Sequence, residues 1–192
     1  MSEEKGPPSN LVWMDMEMTG LDPDKDAIIE MATIITDWDL NVIAIGPEIV
    51  IHQPQERFAQ MDDWNREHHG KSGLWDRVVS SNITIKEAES QTLQFIKQYV
   101  GPKKSPLCGN SIWQDRRFLR RYMRSLDGYL HYRIVDVSTV KELVKRWYYD
   151  PNEKKKNDSS HRALDDIHES IAELKTYREN FFIPKVNPPQ KA

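Results

Sequence analysis

The chain has 192 residues, of which 38% are hydrophobic and 30% charged, which is enough for one domain with a substantial core. No apolar run in the sequence is long enough to cross a bilayer, and a single cysteine, Cys108, cannot close an intrachain disulfide. The formal net charge is −3, whereas proteins that grip long nucleic acid through many phosphates are usually basic. The composition therefore disfavours binding of long nucleic acid through many phosphate contacts. It leaves open an anionic substrate that is short or that is bound through a metal ion.

Both ends of the sequence are polar and contain proline, MSEEKGPPSN at the start and IPKVNPPQKA at the end. We expect residues 1–9 and 183–192 to be flexible tails on one domain that covers residues 10–182. The first segment has neither the apolar stretch of a signal peptide nor the arginine-rich character of a transit peptide. The cytosol is therefore the expected compartment, with mitochondria as the alternative if a presequence is missing from this sequence.

The first quarter of the chain alternates apolar segments with turns, which is the pattern of consecutive strands. Strands are predicted over residues 11–18, 27–36 and 41–51, the second of them rich in Ile and Thr. Gly46-Pro47 interrupts the third segment and marks a bulge or a sheet edge. Short turns between three successive strands predict an antiparallel meander.

Further along the chain the apolar side chains recur at helical spacing. Helices are predicted over residues 86–99, 113–123, 137–147 and 162–181. Two short apolar segments between them, residues 106–109 and 132–135, predict a fourth and a fifth strand. The order βββαβαβα predicts an α/β fold with a central mixed five-stranded sheet flanked by helices, in which helical crossovers reach the last two strands.

Two acids interrupt the first apolar segment, LVWMDMEM. Asp15 and Glu17 are two residues apart, so a strand would project both carboxylates from one face. Neighbouring, partly buried anions are costly unless cations or hydrogen-bond donors offset them. A metal site meets that requirement, and the alternative is an edge strand with both carboxylates in solvent.

Three further residues could join this pair. Asp115 falls in the first turn of a predicted helix, on the face that also carries Phe118. Asp166 falls early in the last helix, and His161 lies where a polar loop meets that helix. Taken singly, each is also explained as an acid favoured by the helix dipole or as a surface histidine. Together, the four carboxylates match the charge of two divalent cations, a common device for hydrolysing a phosphodiester in line.

The order Asp15-x-Glu17, Asp115 and His161-x4-Asp166 resembles the DEDDh group of 3′–5′ exonucleases, which have a ribonuclease H-like three-layer fold. Longer segments, such as WMDMEMTGLDPDKDAIIEMATIITD, CGNSIWQDRRFLRRYM and SHRALDDIHESIAELKTYR, are similar to the oligoribonuclease family. The resemblance covers residues 10–182. HHGKSGL and HYRIVDVSTVKELVKRWY look closer to the eukaryotic members, the small RNA exonucleases, than to the bacterial ones.

The resemblance implies hydrolysis of very short oligoribonucleotides, notably dinucleotides, to 5′ mononucleotides with two Mg²⁺ or Mn²⁺ ions. It implies that Asp15, Glu17, Asp115 and Asp166 hold the metal ions. His161 would be the general base that takes the proton of the attacking water, a task suited to a group with a near-neutral pKa. The resemblance also implies a homodimer.

The resemblance further implies a site that is closed beyond the 5′ end of the substrate. Leu21 would wedge between two bases and Trp64 would stack on one of them. The 5′ phosphate would be held by Ser111, Arg133, Ser138 and the partner subunit's Tyr132. Each position also has a structural alternative: Leu21 packing under its turn, Trp64 in the core, Arg133 in a surface ion pair, and the two serines as helix or turn caps.

Two other functions stay open on the sequence alone. A general DEDDh exonuclease would trim longer RNA or DNA, and a non-catalytic protein on the same scaffold would bind short oligonucleotides without turnover. Trp113 departs from the family pattern, which has smaller or polar residues there, but it leaves the five catalytic positions unchanged.

Overall fold

The computed structural model describes residues 10–148 and 162–183, so most of the predicted tails lie outside it. The strands in this part of the chain are β1 Leu11–Met18, β2 Ile28–Thr36, β3 Val42–Ile45, β4 Ile49–Val50, β5 Leu107–Gly109 and β6 Ile134–Asp136. The α-helices there are α1 Asp63–Lys71, α2 Leu74–Ser80, α3 Ile85–Ile96, α4 Ile112–Tyr122, α5 Arg124–Tyr129, α6 Val137–Trp147 and α7 Ala163–Phe181. None of these helices is both long and apolar enough to span a membrane.

The strands form one mixed sheet in the order β3-β2-β1-β5-β6, with β4 also paired to β2. Strands β1, β2 and β3 are antiparallel neighbours, whereas β5 and β6 run parallel to β1. The predicted α/β class, the meander and the helical crossovers to the last two strands are confirmed. Strand β1 therefore lies in the middle of the mixed sheet.

The sheet has six strands in the described residues, and the prediction of five was wrong because the third apolar segment forms two strands. Both β3 and β4 pair with β2, on either side of Gly46-Pro47. Proline has no N–H for a sheet hydrogen bond. A Cβ at Gly46 would lie 2.6 Å from the ring of Phe95, so the chain passes close to α3 where the two strands separate.

The two faces of β1 pack against different helical layers. Val12, Met14 and Met16 belong to the cluster that contains residues of α3, α4 and α5. Leu11 and Trp13 belong to the cluster that contains residues of α6 and α7. Since side chains alternate along a strand, Asp15 and Glu17 continue the face that is directed toward α7.

Helices α1, α2 and α5 were not predicted from the sequence, since no secondary structure was expected over residues 52–85 or 124–131. Helix α1, DWNREHHGK, has too few apolar side chains to show a helical stripe. It begins at a capping contact in which the backbone N–H of Asn65 donates to Asp62 Oδ1 over 2.8 Å. Helix α2 follows Gly73, whose φ of 70° lies in the left-handed region.

Gly109, at the end of β5, allows the close approach of β5 to β1. A Cβ there would lie 2.8 Å from the carbonyl oxygen of Met14 and 2.9 Å from Cδ1 of Ile112. We expect Gly109→Ala to lower the free energy of unfolding by roughly 1–3 kcal/mol through overpacking. Urea denaturation measures this, with Gly128→Ala as the control because a Cβ at Gly128 meets nothing within 4 Å. Equal stability of the two variants would contradict the prediction.

Candidate active site

Strand β1 and helix α7 bring three carboxylates together. Each of Asp15, Glu17 and Asp166 offers an oxygen that lies within 4.8 Å of the oxygens of the other two. All three side chains are partly buried, so the alternative of a solvent-exposed acidic pair on an edge strand is wrong. Asp166 lies in the first turn of α7, where the helix crosses the face of β1 that carries the other two acids.

Asp115 approaches the same place from α4 and is almost fully buried. Burial raises the pKa of Asp115 to about 8, although backbone hydrogen bonds offset part of this effect. Burial also raises the pKa of Asp15 well above its usual range, and the charges of Asp115 and Glu17 raise it further. The pKa of Glu17 rises to about 8 through burial and the charge of Asp166. The four acids thus form one electrostatically connected group.

This group suits hard divalent cations. Its ligand atoms are carboxylate oxygens, the donors that Mg²⁺ and Mn²⁺ prefer. Without a cation, burial and mutual repulsion favour the protonated acids at neutral pH. A divalent cation would favour the ionised acids instead, so the observed crowding of carboxylates is consistent with a metal site.

The raised pKa of Glu17 predicts how pH affects the metal-free protein. An acid whose pKa is raised in the folded state stabilises that state at low pH, and this stability is lost as the pH rises toward about 8. We therefore expect the melting temperature without metal to fall between about pH 5 and pH 8.5. Glu17→Gln should flatten this dependence and melt several degrees higher at pH 8.5, since about 1 kcal/mol corresponds to roughly 2–4 °C for this size.

Differential scanning fluorimetry in EDTA checks this prediction. The matched control is Glu169→Gln, because Glu169 is an exposed acid on α7. A Glu17→Gln variant that is less stable than the wild type at pH 8.5 would show that the Glu17 carboxylate is not under electrostatic strain in the metal-free protein.

Leu21 lies in a hydrogen-bonded turn after β1, and 72% of its surface is exposed. Asp26 organises the turn, since its carboxylate accepts hydrogen bonds from Thr19 Oγ1 at 3.1 Å and from the backbone N–H of Asp22 at 2.9 Å. Gln114 Nε2, on α4, donates to the carbonyl oxygen of Leu21 over 2.6 Å. The alternative that Leu21 packs under its turn is therefore wrong, and its side chain is free to contact a ligand.

Trp64 lies in the first turn of α1 with 61% of its surface exposed, so the alternative of a core aromatic is wrong. Its ring stacks on His68, with centroids 4.7 Å apart and an interplanar angle of 4°. His69 is buried, and its Nε2 lies 2.9 Å from the carbonyl oxygen of Met18 at the end of β1. Neither histidine has a role predicted from the sequence, although the four-residue spacing from Trp64 to His68 would bring their side chains together on one face of a helix.

Ser111 and Ser138 meet across the end of the sheet, with their Oγ atoms 3.1 Å apart. Asp136 Oδ1 accepts hydrogen bonds from the backbone N–H of both serines, each at 3.0 Å. Asp136 is thus the N-cap of α6, and the alternative that Ser138 caps this helix is wrong. Ser111 precedes α4 with a φ of 49° and makes no side-chain capping bond.

Asn110 connects the two serines to α7 and was missed by the sequence analysis. Ser138 Oγ donates to Asn110 Oδ1 over 3.0 Å, and Asn110 Nδ2 donates to Ser170 Oγ over 2.8 Å. Ser170 lies one turn beyond Asp166 on the same helix. Two parts of the candidate site are therefore joined by side-chain hydrogen bonds.

Tyr132 and Arg133 lie on the short connection that precedes β6, and Tyr132 is 71% exposed. The guanidinium of Arg133 stands 5.4 Å from the centroid of the Tyr132 ring. Buried Arg116 anchors this connection by donating from Nη1 to the carbonyl oxygen of His131 over 2.7 Å. The two side chains are thus presented together on a fixed backbone.

Three further features of the sequence have different outcomes. His161 lies outside the described residues, so its predicted role stays a prediction. Trp113 is exposed on α4, with the guanidinium of Arg117 5.7 Å from its ring centroid. Cys108 is fully buried in β5, as a small core residue would be.

Comparisons with known proteins agree with this architecture. Residues 12–174 match the RNase T exonuclease family model. The oligoribonuclease of Pseudomonas aeruginosa PAO1 is 60% identical over 174 residues, which are 91% of this chain and 97% of that protein. The oligoribonuclease of a Shewanella strain is 58% identical, over 91% of this chain and 96% of that protein. These relatives are bacterial, which contradicts the expected resemblance to the eukaryotic type.

Solved structures with low sequence identity share the fold. A product-bound exonuclease I superposes with a TM-score of 0.67 at 15% identity, over 90% of this chain but only 44% of that chain. Escherichia coli exonuclease I in complex with a dA16 oligonucleotide gives a TM-score of 0.65 at 14% identity, over 90% of this chain and 41% of that chain. The ribonuclease H-like fold is thereby confirmed. The exonuclease family model matches most of the chain, and the bacterial oligoribonucleases align with it over almost their whole length. The chain therefore belongs to the oligoribonuclease family of exonucleases.

Proposed function

We propose that the protein is a 3′–5′ exoribonuclease that hydrolyses very short oligoribonucleotides, notably dinucleotides, to 5′ mononucleotides. The observation that carries the proposal is the cluster of Asp15, Glu17 and Asp166, with oxygens within 4.8 Å of one another and Asp115 beside it. Membership of the oligoribonuclease family supports the choice of substrate.

Asp15, Glu17, Asp115 and Asp166 would hold two divalent cations, Mg²⁺ or Mn²⁺. The chemistry that such ions would supply when bound is activation of a water molecule and stabilisation of the leaving 3′ oxygen. His161 would accept the proton of the attacking water as the general base. In the chain, only Arg162 separates His161 from α7, whose first turn carries Asp166.

Leu21 and Trp64 would bind the bases of the substrate. Both side chains are more than half exposed, yet their backbones are held in place. The turn that carries Leu21 is fixed by hydrogen bonds to Asp26, and the helix that carries Trp64 is fixed by the contact of buried His69 with the Met18 carbonyl oxygen. Stacking of a base on an aromatic ring contributes roughly 1–3 kcal/mol and tolerates any base. Fixed apolar surfaces of this kind support binding of a short substrate without base specificity.

Ser111, Ser138 and Arg133 would bind the 5′ phosphate, together with the partner subunit's Tyr132. Two hydroxyls 3.1 Å apart can both turn toward one phosphate, and a guanidinium adds a charge-assisted hydrogen bond. A site that ends at this phosphate would exclude longer chains. It would also let a protein with a net charge of −3 bind RNA, because few phosphates are contacted.

We further propose a homodimer and a cytosolic location. The family resemblance implies the dimer, and the exposed side chain of Tyr132 is available for contact with a second subunit. Light scattering coupled to size exclusion measures the oligomeric state, and a monomer at micromolar concentration would contradict it. The bacterial relatives give no support to the mitochondrial alternative.

The length preference of the enzyme tests the proposed function. Initial rates are compared on a 5′-phosphorylated RNA dinucleotide and an RNA 10-mer with Mn²⁺, and with EDTA as the control. We expect the dinucleotide to be hydrolysed at least about tenfold faster per bond, a difference of about 1.4 kcal/mol. Equal rates per bond would indicate a general exonuclease, and binding without turnover would indicate a non-catalytic oligonucleotide binder.

A further inference from the structure

Glu30 is a fully buried carboxylate that lies next to the acid cluster without belonging to it. It is directly opposite Glu17 in the antiparallel pairing of β1 with β2. Opposite residues in such a pair project from the same face of the sheet. Glu30 therefore faces the same layer as Glu17, toward α7.

The two oxygens of Glu30 contact two different helices. Oε2 accepts a hydrogen bond from the backbone N–H of Ala163, the first residue of α7, over 3.3 Å. Oε1 lies 2.9 Å from Nη1 of Arg77 on α2. The first N–H groups of a helix have no partner within the helix, and a carboxylate is favoured there by the helix dipole. Glu30 thus ties the beginning of α7 to the middle of the sheet.

Arg77 offsets part of the cost of burying the Glu30 charge and is itself paired at the surface. Its Nη2 lies 3.0 Å from Oε1 of Glu48, which also pairs with Arg162. Glu48 and both arginines are partly exposed, so the outer ion pairs contribute little to stability. The inner contact is different, because the Glu30 side chain has no exposure to water.

We propose that Glu30 is a positioning residue, which fixes the first turn of α7 and with it the Asp166 carboxylate relative to Asp15 and Glu17. This proposal rests on the proposed function. Asp166 follows Ala163 by three residues on the same turn, so a shift of Ala163 displaces Asp166 directly. A carboxylate is a costly choice for a purely structural contact here, since Glu17 on the adjacent strand already adds negative charge.

Two substitutions of Glu30 distinguish a role in positioning α7 from a role of its negative charge. Glu30→Asp keeps the charge but shortens the side chain by one methylene, so the carboxylate no longer reaches Ala163. Glu30→Gln keeps the length, and its amide oxygen can still accept from Ala163, but the charge is lost. Glu48→Gln is the matched control, since Glu48 forms partly exposed ion pairs with Arg77 and Arg162, whereas Glu30 is the carboxylate that accepts the hydrogen bond from the Ala163 backbone.

We expect Glu30→Asp to lower kcat on the dinucleotide by roughly 10- to 100-fold with KM little changed, since small displacements of catalytic groups have effects of this size. Its affinity for Mn²⁺, measured by calorimetry without substrate, should fall in parallel. Glu30→Gln should lose less than Glu30→Asp, and Glu48→Gln should stay close to the wild type. The reverse order, with Glu30→Asp near the wild type and Glu30→Gln impaired, would show that charge matters and would overturn the proposal.

A measurement on the wild type covers the case in which the Glu30 variants do not fold. The amide of Ala163 is at the first position of its helix, where hydrogen exchange is ordinarily fast. We expect slow exchange of this amide, because it donates to a buried carboxylate. Fast exchange would overturn the proposal. Absence of hydrolysis by the wild type would contradict the proposed function alone, because Mn²⁺ affinity and Ala163 exchange are measured without turnover.

Discussion

Asp15→Asn is expected to lower turnover of an RNA dinucleotide by at least about 10³-fold, which corresponds to about 4 kcal/mol of transition-state stabilisation. Burial raises the pKa of Asp15, and the charges of Asp115, Glu17 and Asp166 raise it further. An amide keeps the shape of the side chain but removes the negative charge that a shared cation requires. Initial rates with saturating Mn²⁺ measure the loss.

Asp165→Asn is the matched control for this prediction. Asp165 is adjacent to Asp166 on α7, but its side chain is exposed. The control should retain the rate of the wild type, and both variants should keep the far-ultraviolet circular dichroism of the wild type. Turnover by Asp15→Asn within tenfold of the wild type would remove Asp15 from the catalytic site.

Arg133→Ala is expected to reduce the rate on a 5′-phosphorylated dinucleotide by roughly 10- to 100-fold, since a hydrogen bond to a charged group contributes about 1.5–3 kcal/mol. The effect should be selective for the terminal phosphate. A dinucleotide without a 5′ phosphate should be hydrolysed slowly and at the same rate by the variant and the wild type. Initial rates at substrate concentrations below KM measure both.

Arg120→Ala provides the control for loss of a surface arginine, because the Arg120 side chain is 65% exposed on α4. It should leave both rates unchanged. If Arg133→Ala slowed the two dinucleotides equally, Arg133 would act on a part of the substrate other than the 5′ phosphate. This result would contradict a site that is closed at the 5′ end.

Much of the fold could be predicted because the pattern of apolar residues is strong where elements cross the core. Strand β1 and helix α6 have the predicted bounds. The two-residue spacing of Asp15 and Glu17 was sufficient to place both on one face. Helix α1 was not predictable in this way, because its stability comes from the Asp62 cap and the buried contact of His69 rather than from an apolar stripe.

Other parts of the site depend on contacts between distant segments. The meeting of Asp166 with Asp15 requires α7 to pack across β1, which no local pattern shows. Glu30 lies inside the apolar segment IIEMATIIT, and its contact with Ala163 spans 133 positions of the chain. Asn110 is likewise 60 positions from Ser170. Such residues become visible only once strand register and helix placement are known.

The fate of solvent oxygen tests whether water attacks the phosphodiester in a metal-dependent reaction that releases the 3′ nucleotide. The protein is incubated with the heterodinucleotide pApG and Mn²⁺ in water enriched in oxygen-18, and the mass of each product is measured by mass spectrometry. We predict two 5′ mononucleotides, with the heavy oxygen in the phosphate of the released guanosine nucleotide and none in that of the adenosine nucleotide. A 3′-phosphorylated or 2′,3′-cyclic product, or label on the adenosine nucleotide, would contradict this mechanism.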